Sequence, residues 1–105
     1  MVKRKDITGY AAKVAEEFSP EKIILFGSYA NGTPSDDSDV DVLVIMQHEG
    51  RNVEQALEID CKIDRAFPLD LIVRTPAEIR RRLALKDVFT KSIVKDGRVL
   101  YERGH

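Results

Sequence analysis

Tryptophan is absent from the sequence, and aromatic side chains supply only 7% of it. So few rings leave no platform on which successive bases of a single strand could stack. A basic excess is missing too: 17 Lys and Arg stand against 18 Asp and Glu, a net charge of −1. Proteins that hold nucleic acid through its phosphates carry a basic patch or stripe. Here the one basic run is Arg80, Arg81 and Arg82, expected to be a solvated helix face, so nucleic acid is not an expected partner. No apolar run approaches the roughly 18 residues that a membrane span needs. The basic Met1 to Asp6 segment leads into an amphipathic stretch rather than a signal peptide's apolar core. The lone Cys61 has no partner for an intramolecular disulfide, which fits a reducing cytoplasm. Its expected place is the core.

What is present is an ordinary globular balance, 43% hydrophobic and 33% charged over 105 residues. That suits one domain, residues 1–105, with a modest core. Ile7, Tyr10, Ala11, Val14 and Phe18 recur at steps of three and four, predicting a helix over 6–18 that Ser19-Pro20 ends. "KIILF" is a continuous apolar run of strand length, stopped by Gly27, and residues 39–45 predict the next strand. A second helix is expected over 52–66, with Val53, Ala56, Ile59, Ile63 and Ala66 on its inner side, followed by a strand in "PLDLIV". In "TPAEI" the parts of a capping box stand in order: Thr75 to cap, Pro76 in the first turn, Glu78 to reach back. That helix is expected to run to about residue 85, and another to cover 87–95. Gly97 is expected in the left-handed conformation after it, and "RVLY" as an edge strand. The order α-β-β-α-β-α-α-β predicts a single α/β domain with a mixed sheet flanked by helices.

Within this pattern "FGSYANGTPSDDSDVDVLVI", residues 26–45, is anomalous. Side chains alternate along a strand, so Asp39 and Asp41 share a face, their Cα atoms roughly 6.6 Å apart. Two such carboxylates repel by about 2.5 kcal/mol at an effective dielectric near 20. Asp36 and Asp37 read as a solvated turn, but Asp41 lies inside "VDVLVI", where strands avoid Asp. An EF-hand loop fails for want of its turn glycine and terminal Glu. A P-loop fails because Lys is missing before Thr33 and Pro34 forbids the following helix. A strand ending in Gly27-Ser28 offers backbone N–H groups and a hydroxyl to phosphate oxygens. Carboxylates close by are the ligands that Mg²⁺ prefers. Phosphate grip and metal site together suit nucleoside triphosphate chemistry.

The stretch "GSYANGTPSDDSDVDVLV" resembles the signature of the minimal nucleotidyltransferases in the DNA polymerase β superfamily. There Gly-Ser is followed, ten residues on, by Asp-x-Asp, and here ten residues separate Ser28 from Asp39. The resemblance extends to the helix before the first strand, to a third aspartate in "PLDLIV" (Asp70), and to the ending "GRVLYE". Asn31 departs from it, standing where relatives often carry Arg. The resemblance implies Mg²⁺-dependent transfer of a nucleoside monophosphate, AMP from ATP, to an acceptor hydroxyl with release of pyrophosphate. Asp39, Asp41 and Asp70 would be the catalytic and metal-binding residues for two ions, with Gly27 and Ser28 binding the nucleotide's phosphates. Minimal members commonly pair with a helical protein of the HEPN class as antitoxin to its toxin. That implies either AMP transfer to the partner or masking of it; transfer to a small molecule such as an aminoglycoside is a further alternative. His48, Arg74, Asp60, Asp64 and the terminal His105 carry no functional expectation.

Overall fold

The computed structural model describes residues 1–104; His105 lies outside the described residues. The chain runs α1 (Arg4–Phe18), β1 (Lys22–Phe26), α2 (Ser28–Asn31), β2 (Val40–Ile45), α3 (Asn52–Lys62), β3 (Leu69–Arg74), α4 (Pro76–Ala84), α5 (Val88–Asp96) and β4 (Arg98–Glu102). The expected order holds, with one addition: a single helical turn, α2, directly after Gly27. The four strands form one sheet in the order β3-β2-β1-β4. β1 pairs antiparallel with β2 and with β4, whereas β2 and β3 run parallel. The sheet is therefore mixed, and "RVLY" is an edge strand as expected.

Period-two alternation divides the strand residues between two faces. Ile23, Leu25, Val42 and Val44 meet Ile7, Tyr10 and Val14 of α1 and Ile59 of α3 in one core. Ile24, Leu43 and Ile45 meet Ile79 of α4 and Ile93 of α5 in a smaller one. The Tyr10 phenol belongs to the first. Burial above all, then the charge of Asp60, pushes its pKa up to about 12 against an opposing pull from Arg65, so the ring stays neutral in the core.

Helix ends follow the capping chemistry. The Glu78 amide donates to Thr75 Oγ1 at 3.2 Å and the Thr75 amide to Glu78 Oε1 at 3.4 Å, closing the box that opens α4. Asn52 Nδ2 also donates to Glu78 Oε1, at 2.7 Å, tying α3 to α4. The Asp87 carboxylate accepts from the Thr90 amide and hydroxyl and opens α5.

Several expectations are corrected. α3 stops at Lys62 rather than residue 66, because Ile63 leaves the helix in an extended conformation and is buried in the core. Val53 is 55% exposed and Ala66 is exposed, so only Ile59 and Ile63 of the expected inner stripe are buried. Cys61 is exposed rather than a core thiol. Gly97 is extended (φ −70°, ψ 162°), not left-handed. Its glycine is needed for space, since a Cβ there would overlap the Ile93 carbonyl and crowd Ile24 Cγ2.

Candidate active site

Asp41 lies opposite Phe26 of β1 on one side and opposite Asp70 of β3 on the other. Because parallel partners in register point their side chains the same way, Asp41 and Asp70 emerge together on the face covered by α4 and α5. Asp39 lies just before β2, which begins at Val40 rather than residue 39. Two residues from Asp41, it lies near enough for its charge to act on the Asp41 carboxyl. The Val40 amide donates to the Pro68 carbonyl at 3.0 Å, so the parallel ladder is pinned right at the mouth where the aspartates sit.

The electrostatics record this crowding. Partial burial first, then the charge of Asp70, then that of Asp39, hold the Asp41 carboxyl above the ordinary carboxylate range. Asp39 and Asp70 themselves are exposed. Among the described residues no three His, Cys, Asp or Glu side chains converge closely enough to ligate one ion as they stand. The aspartates share one field, but not a closed cage.

Gly27 sits across from this cluster at φ +74°, in the region that favours glycine. A Cβ there would overlap Asp41 Oδ2 and stand 3.1 Å from its Cγ. The expected reason for this glycine was close approach of a phosphate; the structure adds that its missing side chain is the space the Asp41 carboxylate occupies. Gly27 then caps α2, its carbonyl accepting from the Ala30 and Asn31 amides at 3.1 and 3.0 Å. The Ser28 and Tyr29 amides, the first of the turn, have no intrahelical acceptor, as at any helix start. Arg98 Nε donates to the Ala30 carbonyl at 3.0 Å, fastening the turn to β4.

Beside Asp41 and Gly27 opens a cleft of about 380 Å³, walled by α5. It contains Phe26, Phe89 and Asp96, which the sequence reading passed over. A hollow of about 230 Å³ on the opposite face, between α1 and β4, is lined by no carboxylate and lies away from the aspartates.

Among the remaining residues Arg82 departs from the expected solvated face in being half-buried. His48 bonds to Asn52 Oδ1 (2.8 Å) and the Glu49 carbonyl (3.0 Å), and Asp60 pairs with Arg65 at 3.4 Å. Arg80 and Arg81 are solvated, and Arg82 faces Asp87 at 3.7 Å. No helix among the described residues is long and apolar enough to cross a membrane.

The model of the "Polymerase beta, Nucleotidyltransferase" family matches residues 10–105. The chain belongs to the polymerase beta nucleotidyltransferase family. A crystal structure of a candidate nucleotidyltransferase from Sulfolobus solfataricus is similar to this domain, with a TM-score of 0.65 at 27% identity, covering 94% of this chain and 79% of that one. A Methanocaldococcus jannaschii protein named as a candidate protein adenylyltransferase is 27% identical over 81 residues, 77% of this chain and 78% of its own length. For a nucleotidyltransferase the arrangement is chemically sensible: an acidic mouth on β2 and β3 faces a glycine turn on β1.

Proposed function

We propose that this nucleotidyltransferase moves AMP from ATP to a hydroxyl on a protein, and that the acceptor is a helical HEPN-type toxin which it thereby neutralises. The single observation that carries the transfer is the register of Asp41 with Asp70 beside the Gly27-Ser28 turn. The protein acceptor draws support from the Methanocaldococcus jannaschii relative, named as a candidate protein adenylyltransferase.

The donor set fits Mg²⁺, because its side chains offer hard carboxylate oxygens and Asp41 already lies in the field of Asp70 and Asp39. Asp39, Asp41 and Asp70 would hold the ions. Once bound, they would offset the charge of the phosphates and of the attacking and leaving oxygens. Ser28 would donate its hydroxyl, and the Ser28 and Tyr29 amides their N–H groups, to the phosphates that leave as pyrophosphate. Asp70, exposed at the outer strand of the pair, would accept the acceptor's proton as its oxygen bonds to the α-phosphorus. The bond from that phosphorus to the pyrophosphate oxygen breaks in the same exchange.

The test is an incubation with Mg²⁺, ATP and a helical HEPN-type protein as candidate partner, read by intact mass. One or more AMP additions to the partner are expected. Asp70→Asn should abolish them while the complex still forms on a sizing column. Full neutralisation of an unmodified partner by the wild type would overturn transfer in favour of masking.

A further inference from the structure

Away from the acidic mouth, one stretch of α1 carries two features that its own chain does not explain. Tyr10 is only 3% exposed, yet its hydroxyl has no hydrogen-bond partner among the described residues. Burying a hydroxyl unpaired is costly, and the neutral phenol keeps a proton to donate. One residue earlier stands Gly9, inside the helix, where glycine is destabilising relative to alanine. A Cβ at Gly9 would meet no atom within 4 Å, so nothing in this chain requires the glycine. Both residues line one hollow of about 280 Å³ between α1 and the connection from α3 to β3. Lys5 and Lys13 line it too, and enter no ion pair among the described residues. Each stands four residues from Gly9, so the three share one stripe of the helix, a gap between two cations about 12 Å apart. Across the hollow lie Arg65, paired with Asp60 at 3.4 Å, and Phe67, whose ring is edge-on to Tyr10 with centroids 5.9 Å apart. The Tyr10 hydroxyl lies in the field of Asp60 and Arg65, which sets it on the Arg65 side of the hollow.

We propose that this hollow is where the acceptor protein docks, taking a peptide segment whose backbone crosses α1 at Gly9 and whose carbonyl accepts from the Tyr10 hydroxyl. The inference rests on the proposed transfer to a protein and assigns that reaction a surface for its macromolecular substrate. Two observations choose a polypeptide over a simple anion. The walls mix signs, Lys5 and Lys13 with Asp6 and Asp64, so a lone phosphate would meet repulsion as well as attraction. A peptide offers side chains of both charges. Glycine in a helix also admits close approach of another backbone, which a small ion does not need. A further observation gives direction. A second hollow of about 250 Å³ shares Asp6, Ala66 and Phe67 with the first and reaches Ser38 and Pro68. Ser38 directly precedes Asp39, and Pro68 stands two residues before Asp70. A segment seated at Gly9 and Tyr10 therefore has a track toward the carboxylates, and its hydroxyl arrives from the β3 side.

The test uses the full chain and the HEPN-type candidate partner, with complex affinity and AMP transfer measured separately. Gly9→Leu puts a side chain into the gap, and its Cβ meets nothing. It should keep the wild-type melting temperature and the affinity for a non-hydrolysable ATP analogue. The complex should weaken about tenfold, and KM for the partner should rise with kcat nearly unchanged. Tyr10→Phe deletes only the unpaired hydroxyl. The free protein should melt at or above the wild-type temperature, while the complex weakens about fivefold, the worth of one neutral hydrogen bond. A tyrosine that served only the core would not give those opposite signs. Wild-type affinity and KM in both variants overturn the docking surface and leave AMP transfer standing. A lowered melting temperature in Tyr10→Phe with an unchanged complex also overturns it. Inorganic phosphate that binds the wild type and is weakened by Lys13→Ala, with partner affinity intact, would make the hollow an anion site and overturn the peptide occupant. A wild type that neither binds nor modifies the partner would instead sink the acceptor reading, and the docking surface with it.

Discussion

The two faces of the sheet do different work. On the α1/α3 face the strand residues Ile23, Val42 and Val44 are fully buried beneath Val14 and Ile59. On the α4/α5 face the apolar patch is limited to Ile24, Leu43, Ile45, Ile79 and Ile93, with Phe26 and Ile72 at its border. Beyond that border the same strands turn acidic at Asp41 and Asp70. One face supplies cohesion, and the other gives up burial at its end to hold carboxylates and a cleft. Such a division is expected wherever a functional cluster must be held by a fold of marginal stability.

Truncation should expose the difference most strongly. Ile59→Ala, on the fully buried face, is expected to cost about 2–5 kcal/mol in urea unfolding. Ile79→Ala, at the thinner core's edge, should fall at or below the bottom of that range; equal losses would erase the distinction between the faces. Next comes Gly27→Ala, which combines a positive φ with overlap of Asp41 Oδ2. Strain of this kind costs about 1–3 kcal/mol, and triphosphate binding should weaken with it. A variant with wild-type melting temperature and affinity would show that Asp41 moves aside freely.

A smaller effect should separate two carboxylates by sign. The Asp41 pKa is raised, so between the ordinary aspartate range and the folded value the native state holds more protons than the unfolded one, and stability falls as pH rises through that window. Asp41→Asn should therefore raise the melting temperature at neutral pH, with the gain fading below the ordinary aspartate range, although transfer is lost. Glu78 behaves oppositely. Burial alone would raise its pKa, but the Asn52 and Thr75 hydrogen bonds with Arg74 and Arg82 bring it below the usual value. Its contribution is present above the ordinary glutamate range and lost as pH falls through the folded value, so Glu78→Gln should destabilise at neutral pH and cease to matter in acid. Melting curves from pH 3 to 8 on both variants would check the signs; a shared sign would refute the assignment. Smallest of all, Leu57→Ser on the exposed side of α3 should change stability by no more than about 0.5 kcal/mol in the same assay. A larger loss would mean that α3 is packed on both sides.

Local patterns were legible in the sequence because their causes are local. β1 is the apolar run that Gly27 stops, and α4 starts where Thr75, Pro76 and Glu78 provide a cap. Alternation along residues 39–45 led to the expectation that Asp39 and Asp41 share a face before any strand was paired. The mixed sheet and its edge strand followed from the order of those elements. Other features needed contacts between distant residues. Only the parallel register of β2 with β3 sets Asp70 beside Asp41 across the gap in sequence. Only the antiparallel return from β1 puts Gly27 against the Asp41 carboxylate. The demand for glycine at position 97 comes from Ile93 and Ile24, and Cys61 lies exposed two residues from the buried Ile59. Phe89 and Asp96 looked like unremarkable helix residues until α5 lay across the end of β1. Propensity and alternation act over a few residues and can be read along the chain; the field at Asp41 and the walls of the cleft depend on which strands pair, and pairing is decided when the whole core closes.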